Sequence, residues 1–84
     1  MNISAFAKAL QEVLPEYLIE YTDNLVRASI SHYFFGPASI VVEIPSSEHL
    51  SQVAVDCTAV AIRSAYRDMI LRAYSFENLL DAIS

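Results

Sequence analysis

From Asn2 to Asp23 the residues Ile3, Phe6, Leu10, Val13, Leu14, Tyr17, Leu18 and Tyr21 recur at helical spacing, and Lys8, Glu12, Glu16, Glu20 and Asp23 fall across from them. The pattern predicts an amphipathic helix over 2–23. Asn2 or Ser4 supplies an N-terminal cap. Pro15 lacks a backbone donor and disfavours helical geometry at Leu14, so a kink or short break is expected there, with both halves facing one core.

After Asp23-Asn24 the period changes to two. Val26, Ala28, Ile30, His32 and Phe34 alternate with Leu25, Arg27, Ser29, Ser31 and Tyr33, which describes a strand. Phe35-Gly36-Pro37-Ala38 carries the only glycine, and a second β-rich run, Ser39 to Ile44, follows. A β-hairpin is the economical interpretation. Its rival continues the first helix through Arg27 to Ser31, because Leu25, Ala28 and Phe35 also fit a helical period.

Pro45 closes the second run, and Ser46 or Ser47 can cap a helix with Glu48 in its first turn. From there to Ala73 there is no Gly, Pro or Asn. Gln52, Asp56, Arg63 and Arg67 share a narrow polar sector, and apolar residues including Val53, Cys57, Val60 and Ile62 occupy nearly all the rest. Such a helix asks for cover on more than one side. Ser75, flanked by Tyr74 and Leu79, looks like the cap of a short final helix over 76–83. The expected architecture is α+β: a helix kinked near Pro15, a hairpin, a long helix and a short C-terminal helix, all in one small domain spanning 1–84.

Composition sharpens this picture. A compact monomer of 84 residues hides only about 63% of the surface its unfolded chain exposes, yet 55% of the residues are hydrophobic. More apolar side chain is present than so small an interior absorbs, and an isolated two-stranded hairpin is itself marginal. Both point to self-association as a homodimer or small oligomer. A net charge of −5 disfavours nucleic acid as a partner. The single cysteine, Cys57, rules out an internal disulfide and fits a reducing, cytoplasmic setting. The first fifteen residues do not read as a signal peptide, and the apolar stretch Val53 to Ile62, interrupted by Asp56, is too short for a membrane span.

No catalytic pattern emerges. Cys57 lies about 12 Å along the helix from His49, out of reach of a base. His32, His49 and Cys57 lack metal-ligand spacing, and one glycine cannot build a phosphate loop. The expected protein is therefore non-enzymatic, without cofactor, an interaction or regulatory domain that binds itself and another protein. The candidate contact residues are the aromatic run Tyr33, Phe34 and Phe35, which alternatively serves as core and sheet cover; Val53 and Val60 on the long helix; the acidic ridge Glu12, Glu16 and Glu20; and Arg63 with Arg67. In a compact monomer the ridge and the arginines should point away from each other, so a meeting between them is expected across a subunit interface. Two alternatives stand beside this. One is a small-molecule domain with an apolar pocket lined by Tyr17, Tyr21, Tyr66 and Tyr74. The other is an acidic inhibitor of a nucleic-acid-binding protein, acting through the three glutamates.

Overall fold

The computed structural model describes residues 1–44 and 49–83. Helix α1 (Ile3–Val13) leads into a three-stranded antiparallel sheet of β1 (Leu18–Tyr21), β2 (Leu25–His32) and β3 (Gly36–Glu43) in that spatial order, and a 32-residue helix, α2 (Gln52–Ile83), completes the chain. The α+β class is as expected. Both helices cover one face of the sheet, α1 over β1 and α2 over β3, and they touch each other.

Three elements depart from the sequence-based expectation. The first helix does not kink at Pro15 and run on to Asp23. It stops at Val13, with Asn2 Oδ1 accepting from the Ala5 amide at its start and Leu14 as its last capping residue, at φ −124° and ψ 62°. Pro15 cannot donate to an upstream carbonyl and forces its predecessor out of helical geometry, and the chain turns back. Leu18 to Tyr21 then form a third strand, registered as Ile19 against Ala28 and Glu20 against Arg27. This third strand gives the hairpin the support that two strands lack. Finally, the long and short helices are one. Ser75 is not a cap; its hydroxyl donates to the Leu71 carbonyl at 2.9 Å, the back-bond by which a serine satisfies its hydroxyl inside a helix.

The helix start also differs. Ser51 Oγ accepts from the Ala54 amide at 3.2 Å and Val55 N donates to the Ser51 carbonyl, so Ser51 caps α2. The expected caps Ser46 and Ser47, with Pro45 and Glu48, lie outside the described residues.

The core is the set of side chains between the layers: Phe6, Leu10, Leu14 and Tyr17 from α1 and the turn after it, Val26, Ala28 and Ile40 from the sheet, and Val55, Ala59 and Ile62 from α2. The opposite sheet face, with Arg27, Ser31, Ser39 and Val41, is exposed. The α1–β1 turn is fastened by Gln11. Its amide nitrogen donates to the carbonyls of Leu14 (3.1 Å) and Tyr17 (2.6 Å), and its oxygen accepts from the Ile19 amide (3.1 Å). Burial pushes the Tyr17 phenol above its ordinary pKa, against an opposing pull from Arg63.

Candidate interaction surface

The molecule measures 52 × 19 × 19 Å. A 32-residue helix is about 48 Å long, so α2 alone sets the long dimension. Its first half closes the core through Val55, Ala59 and Ile62. Farther along, its neighbours include the tip of the β2–β3 hairpin. Past Tyr74, every described side chain from Ser75 to Ala82 is exposed, including Phe76, Leu79 and Leu80.

The hairpin tip is built by a local device. Tyr33, Phe34 and Phe35 form a three-residue turn between paired His32 and Gly36, and Gly36 closes it at φ +76°, a left-handed conformation that costs a side-chain-bearing residue strain. His32 Nδ1 accepts from the amides of Phe34 (3.0 Å) and Phe35 (3.2 Å), satisfying two turn donors at once. The imidazole stacks on Phe35 with ring centres 4.9 Å apart, and Phe35 in turn meets Tyr74 edge-on at 5.1 Å. The tip is thereby pinned to α2. Tyr33 and Phe34 point outward at 92% and 71% exposure, so the aromatic run divides: Phe35 packs on the protein's own helix, and Phe34 is not a core residue.

Val53 and Val60, at 71% and 64% exposure, face away from the sheet. Cys57 lies between them in the chain and is also exposed, rather than sheltered as a small hydrophobe. Arg67 is exposed on α2.

The charged candidates are arranged otherwise than expected. Glu12, Glu16 and Glu20 form no ridge, because α1 ends before Glu16 and each sits on a different piece of structure: α1, the turn and β1. Glu20 lies directly opposite Arg27 in the sheet. Arg63 and Glu16 do meet, but within one chain. Arg63 Nη1 donates to the Glu16 carboxylate and Nη2 to the Val13 carbonyl at 3.1 Å. The turn at Pro15 carries Glu16 toward α2, and the guanidinium settles on the negative end of α1. This contact fastens helix to helix and leaves Arg63 and Glu16 engaged inside the monomer.

The four tyrosines do not converge on one cavity. Tyr17 is buried and meets Tyr66 edge-on at 6.0 Å, Tyr74 stands beside the hairpin tip, and Tyr21, paired with buried Val26, lies apart from them at the end of β1, where it borders a groove shared with Lys8 and Gln11 of α1. An open groove of about 350 Å³ lies between Phe34 and Phe35 on one side and Tyr74, Glu77 and Asn78 on the other. Among the described residues no group of three or more His, Cys, Asp or Glu side chains is placed to hold a metal, and no helix is long and apolar enough to cross a membrane.

A feature that binary patterning passed over is the spacing of Val55, Ala59, Ile62, Tyr66, Met69, Ala73, Phe76 and Leu80, which alternates four and three without a break. That spacing is the pattern of a helix with one continuous apolar seam. The structure covers only the first part. Met69 is 39% exposed, Phe76 59% and Leu80 44%. The signal was available in the chain; it was obscured by dividing the helix at Ser75.

Compared with known proteins, the chain matches no family model, no curated protein and no solved structure.

Proposed function

We propose that this chain is a non-enzymatic interaction domain that works as a homodimer or small oligomer, presents surface to another protein, and does so in a reducing, cytoplasmic compartment. The observation that carries the proposal is the apolar end of α2: Phe76, Leu79 and Leu80 stand in water on a helix whose other half completes the core. The total surface agrees. At 5812 Å² it exceeds the roughly 5,000 Å² of a compact 9.4 kDa chain, the excess expected of a protein that leaves part of itself for a partner. An exposed Cys57 suits a compartment that keeps thiols reduced.

Sedimentation equilibrium from about 1 to 100 µM tests this reading, a range set by an interface at the small end of the specific class. The expected result is an average mass that climbs above 9.4 kDa with concentration. A constant 9.4 kDa throughout refutes the oligomer.

The groove beside Tyr74 favours a second reading, a small-molecule site between hairpin tip and helix. Its walls are aromatic, with Glu77 and Asn78 as the polar groups that would orient a ligand. A thermal-shift screen of aromatic metabolites checks it: stabilisation abolished by Tyr74→Ala supports a site, and no shift with any compound rejects it.

A further inference from the structure

We infer that the occupant of the exposed seam is the same segment of a second copy, packed antiparallel so that Ala73 of each chain faces Phe76 of the other and Met69 faces Leu80. This rests on the oligomer proposed above and specifies its interface.

The direction follows from where the body lies. Val55, Ala59 and Ile62, which bury against the protein's own core, belong to the same helix face as Met69, Ala73, Phe76 and Leu80. Two copies aligned parallel along that face would bring both bodies between the two helices. Aligned antiparallel, the bodies lie at opposite ends, and each helix end extends the layer that α1 and the sheet begin on the other chain.

Side-chain volume points the same way. Parallel pairing sets like against like, with Ala73 on Ala73 leaving a void and Phe76 on Phe76 overfilling its layer. Antiparallel pairing sets small against large twice by symmetry, and puts two flexible or branched chains of similar size, Met69 and Leu80, against each other.

Charge fixes the register. With Ala73 opposite Phe76, the flanking positions bring Arg72 beside Leu79 and Ile70 beside Glu77, and no like charges face each other. Sliding outward by one heptad brings Glu77 against Glu77. Sliding inward demands Ile62, which is fully buried in its own chain. Only the first register is open. Covering Met69, Phe76, Leu79 and Leu80 of both copies with their flanks removes on the order of 1,000 Å², the lower bound of a specific interface, so a reversible dimer at micromolar concentration is expected.

The test uses the full chain and four variants, each first checked by circular dichroism for an unchanged melting profile. Phe76→Glu should weaken association about a hundredfold or more, since symmetry removes the contact twice. Leu71→Glu alters an equally exposed leucine on the far side of α2 and should leave association intact. Phe76→Lys and Ala73→Glu should each be monomeric alone at concentrations where the unaltered chain dimerises. Mixed, they should form a heterodimer, because an antiparallel pair places the new lysine against the new glutamate and keeps the second layer native. A parallel pair gives no such match, so absence of the heterodimer overturns the arrangement. An unaltered chain that associates normally and ignores Phe76→Glu also overturns it, while leaving the oligomer to form through another surface. An unaltered chain that stays at 9.4 kDa overturns both proposals.

Discussion

Replacing Gln11 by alanine should destabilise the fold far more than a partly buried polar residue on a short helix would suggest. One side chain bonds three main-chain groups: the carbonyls of Leu14 and Tyr17 in the turn, and the amide of Ile19 on the edge strand β1. At about 1 kcal/mol net per bond, the loss is about 2–3 kcal/mol. A domain of this size has roughly 4–12 kcal/mol in total, and the same loss should lower the melting temperature by about 10 °C or more. Urea unfolding followed at 222 nm measures it, with the slope unchanged if only the clamp is lost. Gln11→Glu sharpens the test. Its carboxylate still accepts from Ile19 but turns a charge toward the carbonyls of Leu14, which also accepts from the Tyr17 amide, and Tyr17, so at pH 7 it should be worse than alanine and recover on acidification as the carboxyl gains a proton. A Gln11→Ala protein within about 0.5 kcal/mol of the parent would refute the clamp and mean that water serves these groups as well.

Other outcomes follow from single contacts. The Arg63–Glu16 pair is half exposed, so a double-mutant cycle with Ala at both positions should give a coupling below about 1 kcal/mol that shrinks in high salt; a larger, salt-insensitive value contradicts this. Gly36→Ala meets no steric obstacle, nothing lying within 4 Å of an added Cβ, so its cost should be the backbone term of about 1–2 kcal/mol, read from the same urea curves, with Gly36→Asn costing less. Tyr17 has a raised pKa, so its contribution is complete below about pH 10, the unfolded value, and lost as pH rises through the higher folded value. The stability difference between Tyr17→Phe and the parent should therefore be flat at neutral pH and move in favour of phenylalanine above pH 10; a flat difference throughout denies that burial perturbs the phenol.

What the sequence made legible was periodicity. The alternation from Leu25 to His32 is a strand, as read, because its inward members Val26 and Ala28 enter the core and its outward members Arg27 and Ser31 do not. Leu18 to Tyr21 escaped because Leu18 and Tyr21 also fit the phase of the preceding helix, and the one fact that separates the two structures is the donor missing at Pro15. Ser75 misled in the opposite way. A serine beside apolar residues resembles a cap, and only its hydroxyl bond to the Leu71 carbonyl one turn earlier shows that the helix absorbs it. Among candidate contact residues, Tyr33, Val53 and Val60 are exposed, whereas Glu16 was placed away from Arg63 by a helix that ends before reaching it, and the two meet within one chain. His32 and Gln11 were invisible to patterning, since their work depends on a turn that no periodic template contains.

No described residue after Ile62 belongs to the buried core, so α2 divides into two halves under different obligations. Changes in the proximal turns are judged by whether the chain folds, and under the proposed dimer changes in the turns past Tyr74 are judged by whom it meets. The turns beyond Tyr74, which hold neither the core nor the hairpin tip, are then the ones able to take a new associate without endangering the body, so among descendants of this chain the helix should diverge at two speeds.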